Sequence, residues 1–184
     1  GVYNVSLVID DKIISTKKMD VLKDPHSEGT IEDIGLQIIL MKKIYDDLNI
    51  TAKYINSIEK VRRQLMDLES ILSSSENNES IILKIKEIEN KFLEIEKKLL
   101  QLQTTGTGQD EVRYEKMIGE KLVYLANNVP NADFKPADSY YEVYEILHKR
   151  LENVGVEYNN LMDSELKAFI QKLNSEGVNT IVLK

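Results

Sequence analysis

The sequence has no cysteine and no tryptophan, only three prolines and eight glycines, and no long apolar run. Without cysteine there is no disulfide framework, no thiolate metal site and no cysteine nucleophile. Glycine and proline together make roughly 6% of the chain, about half the ordinary share. β-Sandwiches, barrels and propellers need turn residues at regular, short intervals. The shortage therefore disfavours an all-β chain, and with it glycine-rich phosphate loops and long disordered linkers. No apolar stretch approaches the ~18–20 residues of a membrane helix, so membrane insertion is not expected. The first residues, GVYNVSLVIDD, lack the basic start and apolar core of a signal peptide, as a trimmed mature chain also would.

What is present points to amphipathic helices: of 184 residues, 42% are hydrophobic and 30% charged. Twenty-four basic residues stand against 31 acidic ones, a net charge of -7. The basic pairs Lys17-Lys18, Arg62-Arg63 and Lys97-Lys98 are short and sit among acids. Nucleic-acid binders gather Lys and Arg on one face, so no nucleic-acid partner is expected.

Tyr3, Val5, Leu7 and Ile9 alternate with mostly polar neighbours, the period of a strand of about eight residues. Asp10-Asp11-Lys12 suits a tight turn, and Ile13 to Leu22 reads as a second strand, ended by Lys23-Asp24-Pro25. A lone hairpin is marginal in water and exposes two strand edges. Residues 1–25 therefore read as the last strands of a preceding β-domain, and residues 26–184 as a helical bundle.

Thr30 and Asp33 form a capping-box pattern opening a very long helix. Its stripe is predicted to run through Ile34, Ile38, Met41, Tyr45, Leu48, Ala52 and Ile55. After a register slip near Ile58 it continues through Val61, Leu65, Leu68 and Leu72 to a break at 73–78. A second helix from about Ser80 to Gln103 carries Ile85, Ile88, Phe92, Ile95, Leu99 and Leu102. A third is expected from about Asp110 to Asn128, after the Thr104–Gly108 linker. Pro136 opens a fourth, bearing Tyr140, Tyr144, Leu147, Leu151, Val154, Tyr158 and Leu161. Asp163 or Ser164 is read as the cap of a short fifth, which Gly177 closes. The fold class is thus mainly α, an elongated antiparallel bundle of four long helices and a short fifth, preceded by a β-hairpin. Two packings are compatible: an up-down-up-down four-helix bundle, or a three-helix rod with helices two and three end to end. The first is preferred, because Gly106 and Gly108 permit a full reversal.

Chemistry is sparse. Glu145 and His148 have the Glu-x-x-His spacing of di-iron bundles, but a second such pair is missing, and His148 reads as a boundary histidine. His26-Ser27-Glu28 is adjacent in sequence, which does not make a triad. Gly106-Thr107-Gly108 lacks the lysine and the third glycine of phosphate loops. Tyr140, Tyr141 and Tyr144 read as core packing, with a sugar or partner platform as the lesser reading. Asn4, Asn49 and Asn78 match the glycosylation sequon, but the Ile/Lys/Asn/Glu bias suggests an AT-rich bacterial genome, where such matches mean little. No catalytic, cofactor-binding or metal-ligating residue is nominated, and no cofactor is expected.

The order of elements carries a resemblance. Gly1-Val2-Tyr3-Asn4-Val5, then Ile9-Asp10-Asp11-Lys12, Met19-Asp20-Val21 and Lys23-Asp24-Pro25 lead into a long helix. Later come Asn127-Asn128-Val129-Pro130-Asn131-Ala132-Asp133 before Pro136, and Leu173-Asn174 before Gly177-Val178. This is similar to the C-terminal region of large secreted bacterial proteins with sortilin-like BNR/Asp-box β-propellers, often described as glycosyl hydrolases. Asp11 stands where that family usually has Gly, and His26 where it often has Arg. The resemblance implies an Ig-like module ending at the strand pair and a propeller upstream, with no catalytic residue in this chain. It also implies a secreted or periplasmic location. The expected partners are upstream domains of the same parent chain and, in a homo-oligomer, further copies. The expected function is a non-catalytic module for packing, bracing or oligomerisation; the alternative is an autonomous coiled-coil adaptor.

Overall fold

A computed structural model describes residues 1–74 and 78–178, with the backbone alone for Glu111. The predicted break at 73–78 lies partly outside the described residues, at 75–77. The chain is mainly helical and opens with a β-hairpin.

The strands are β1 (Val2–Ile9) and β2 (Lys12–Asp20), antiparallel, with Ile9 opposite Lys12. Asp10 and Asp11 both take positive φ, 47° and 60°, the left-handed pair that a two-residue hairpin turn requires. A bulge at Leu7/Val8 leaves Ile14 unpaired. Every residue of both strands is exposed.

Helix α1 (Ile31–Leu72) begins with the expected capping box. Thr30 Oγ1 accepts from the Asp33 backbone N–H at 3.0 Å, and Asp33 Oδ2 accepts from the Thr30 N–H at 2.9 Å. Those Thr30 bonds hold the Asp33 carboxyl below the usual carboxylate range. At 1.5 Å per residue the helix is about 63 Å long. Helix α2 (Glu79–Leu99) runs back beside it: Arg62 meets Glu89, while Glu69, further along α1, meets Lys86, nearer the start of α2.

Short α3 (Asp110–Arg113) and then α4 (Ile118–Asn128) follow. α4 also runs antiparallel to α1: a Cβ on Gly119 would lie 3.4 Å from the Thr51 side chain, and Gln37 donates to Val129 O at 2.9 Å. α5 (Asp138–Asn160) runs parallel to α1, with His148 on Asp47 and, ten residues on in both helices, Tyr158 on Ser57. A π-helical turn (Leu161–Leu166) carries α5 into α6 (Lys167–Ser175).

The packing is thus the three-helix rod, not the up-down-up-down bundle. α2 and α4 stack end to end down one side of α1, and α5–α6 returns parallel to α1. The linker does not reverse the chain. Glu120 accepts from Met117 N at 2.8 Å and from Gln101 N at 3.0 Å, tying the end of α2 to the start of α4. Gly119 packs so close to Leu99 O that a Cβ would lie 2.9 Å from it.

Three boundaries differ from expectation. The second helix stops at Leu99, and Leu100 turns extended (φ -140°, ψ 140°). The third is broken at Tyr114 (φ -119°, ψ 127°), because α4 must start where Glu120 can reach both chain ends. The fifth is not a separate helix capped at Asp163 or Ser164. The π turn lets Leu161 and Leu166, five apart, both face the core, and the helix runs on. It closes at Gly177 (φ 74°), where Val178 N donates to Leu173 O at 3.0 Å, as a Schellman cap does.

The core is continuous along the rod, through Leu40, Ile44, Ile58, Leu65, Ile88, Phe92, Leu122 and Leu166. On α1 the buried stripe is Gln37, Leu40, Ile44, Asp47, Thr51, Ile58, Val61, Leu65, Leu68 and Leu72. It keeps one heptad phase from end to end, so there is no register slip at Ile58. The stripe predicted for the first half of α1 is a second one, one position round the helix, and it is not the core.

Candidate functional site

Two places on α1 stand out. One is the polar stretch of the buried stripe, the other is the second apolar stripe beside it.

Asp47 is 2% exposed and sits where a heptad would place an apolar residue. His148 Nδ1 lies 2.8 Å from Asp47 Oδ2, and the Tyr144 hydroxyl lies 3.3 Å from the same ring nitrogen. Tyr144 is buried; burial first, then the charge of Asp47, raises its hydroxyl pKa. Lys43 Nζ sits 5.7 Å over the Tyr144 ring, within cation–π range. His148 lines a groove of about 390 Å³ together with Ile50, Tyr54, Glu152 and Asn159, and its Nε2 lies 3.8 Å from Glu152 Oε1. Thr51 and Gln37 spend their side chains on main-chain carbonyls: Asp47 O at 2.8 Å, and Val129 O and Ala132 O at 2.9 and 2.6 Å.

This cluster orients an imidazole, but its geometry is chiefly that of an interhelical clamp. Glu145, the sequence neighbour of the Glu-x-x-His reading, is exposed, and the carboxylate that meets His148 comes from α1 instead. The signal for Asp47 was in the sequence: Gln37, Asp47 and Thr51 share a strict 3-4 spacing with Leu40 and Ile44. His148→Ala leaves the Asp47 carboxylate buried with a lost partner. It is expected to lower stability by about 1–3 kcal/mol in denaturant titration.

The other sequence candidates are not brought together. His26 is exposed, its N–H donating to Asp24 Oδ1 at 2.8 Å in a local turn. The Gly106 loop is folded around Asp110, whose carboxylate accepts from Thr105 N, Gly106 N and both the N–H and hydroxyl of Thr107. The Thr105 hydroxyl bonds it as well, and these bonds hold the Asp110 carboxyl below its usual range. A phosphate would find those amides already engaged. Tyr140 and Tyr141 are half-buried against the core beside buried Tyr144. Among the described residues no three His, Cys, Asp or Glu side chains form a metal-sized group, and no helix is long and apolar enough to cross a membrane.

The second stripe has heptad spacing: Ile31, Ile38, Tyr45 and Ala52 at one position, Ile34, Met41, Leu48 and Ile55 at the other. The first four are exposed and the last four half-buried. Towards its end the stripe forms one wall of a groove of about 510 Å³, with Leu100 and Val123 opposite Leu48 and Ile55. Val123 is 47% and Tyr124 62% exposed.

On the far side of the rod, Glu87 accepts from Lys84 and Lys91, both at 2.8 Å, and these bonds pull its pKa from the usual 4.5 to about 2. A depressed folded pKa means stability that is present above the unfolded value and is lost as pH falls towards about 2. Lys84→Gln with Lys91→Gln is expected to return the Glu87 titration, followed by NMR, towards the unperturbed value.

Compared with known proteins, the chain matches no family model, no curated protein and no solved structure.

Proposed function

We propose that this chain is a non-catalytic helical module of a larger secreted protein of the sortilin-like BNR/Asp-box kind. The hairpin joins the sheet of a neighbouring domain, and the rod braces or links what it is attached to. One observation carries the reading: a hairpin, Val2–Asp20, with every strand residue exposed, Tyr3, Val5, Leu7 and Ile9 included. Two strands that bury nothing have no stabilising partner of their own, and their free edges invite one. The clamp-like use of the polar groups supports the same reading, since the side chains that catalysis would need are spent on holding helices together.

The test compares the full chain with a chain starting at Asp24. Equal helical circular dichroism and an unchanged melting temperature are expected, together with loss of hydrophobic-dye binding. Loss of the helical melt on truncation, or glycoside hydrolysis by the full chain, would overturn the reading. An autonomous adaptor is the second reading, favoured by the uncovered stripe on α1.

A further inference from the structure

We infer that the second stripe of α1, with the adjoining face of α4, is the surface on which two copies of this chain dimerise. This rests on the linking role proposed above and supplies its contact. The spacing 31, 34, 38, 41, 45, 48, 52, 55 is an uninterrupted 3-4 repeat over 25 residues of one helix. That repeat is the one by which one helix seats its side chains between those of another. The rod uses a different stripe of the same helix for its own core. Packing against the rod accounts for half-buried Met41, Leu48 and Ile55, but not for exposed Ile31, Ile38 and Tyr45 at the alternate positions.

The area is sufficient. Ile31, Ile38, Tyr45, Val123 and Tyr124 are 69%, 61%, 53%, 47% and 62% exposed. At about 200 Å² for a large side chain they leave roughly 600 Å² open. The half-buried residues of the stripe add to this, bringing it close to the ~800 Å² per partner of a stable interface.

The charges favour a copy over an acidic or basic partner. The flanks are sparsely charged: Gly35, Asn49 and Asn56 accompany Lys42 on α1, and Lys116 and Glu120 line the groove on the α4 side, on a chain whose net charge is -7. Two such flanks meet without the repulsion that the rest of the acidic surface would impose.

The pattern also fixes a register. In an antiparallel pair whose two-fold axis crosses the stripe level with position 43, one position type meets the other throughout: Ile38 faces the partner's Leu48, and Met41 the partner's Tyr45. Ile31 and Ile34 then face the partner's Ile55 and the partner's Ala52. All eight positions are used, and the interface is isologous.

The experiment uses the full chain, whose lack of cysteine makes engineered thiols unambiguous. Sedimentation equilibrium is expected to give twice the 21.1 kDa chain mass. Ile38→Glu with Tyr45→Glu places charges on two residues that are more than half exposed in the single chain. It is expected to weaken dimerisation about 100-fold or more, with helical circular dichroism unchanged. Ile38→Cys with Leu48→Cys, too far apart to bond within one helix, is expected to cross-link two copies on oxidation. A monomer at about 100 µM, far above the micromolar end for an interface of this size, overturns the inference and leaves the bracing role standing. A dimer that survives the two glutamates, or one that the thiols fail to cross-link, also overturns it. Catalytic turnover would overturn the proposed function and leave the dimer untouched.

Discussion

Phe92→Ala is expected to be the most damaging single truncation in the chain, lowering unfolding free energy by about 3–5 kcal/mol. Phe92 is 0% exposed, midway along α2 on the Ile85, Ile88, Phe92, Ile95, Leu99 stripe. At this level α2 is covered by α1 on one side and by the α5–α6 helix on the other. A helix face held between two long partners cannot collapse into the space a lost ring leaves, so the cavity cost adds to the transfer cost. The measurement is urea or guanidinium unfolding followed by circular dichroism. Leu83→Ala on the same helix, 63% exposed, serves as control and should stay within about 0.5 kcal/mol of the parent.

Arg62→Met is expected to cost about 3 kcal/mol or more, for an electrostatic reason. The Arg62 guanidinium bridges two carboxylates of α2: Glu89 at 2.8 Å and Glu96, which is 2% exposed. Burial acts to lower the Arg62 pKa, but the hydrogen bonds that it donates to both glutamates, with their negative charge, outweigh this and raise the value. Removing the cation strands Glu96 in the core between α1 and α2. The second substitution decides the cause: adding Glu96→Leu to Arg62→Met should restore most of the loss, since apolar replacements of similar volume often equal a buried ion pair. If the double variant is as unstable as the single one, packing of the Arg62 stem, not the stranded charge, sets the cost.

How far the fold could be read in advance varies along the chain. The hairpin turn, the Thr30–Asp33 cap and the Gly177 terminus were legible because each depends on the backbone preferences of a few adjacent residues. The α2 and α5 stripes were legible because each helix has one apolar face. α1 has two, and hydrophobicity alone selected the wrong one. Ile34, Ile38, Met41 and Leu48 outscore Gln37, Asp47 and Thr51, yet the latter are buried. Thr51 bonds Asp47 O within its own helix, but what rescues Gln37 and Asp47 comes from distant segments: His148 for Asp47, and the carbonyls of Val129 and Ala132 for Gln37. No local window contains those partners.

The choice between bundle and rod was equally non-local. The glycine linker permits a reversal, but Glu120 binds the two chain ends across it, and Gly119 lets them meet. In the same way Asp163 and Ser164 look like a cap, until two buried leucines five residues apart draw the helix onward through a π turn. The sequence by itself determined the helical class, the hairpin, the helix count to within a break and a merger, and the lack of any thiol. Periodicity and caps are properties of neighbouring residues. Only the tertiary structure decided which face of α1 is core, how the helices run relative to one another, and that a heptad-spaced apolar face stays open. Those depend on which distant groups satisfy buried polar atoms: the 3-4 spacing marks Gln37 and Asp47 as candidates for burial, but their partners lie in other segments.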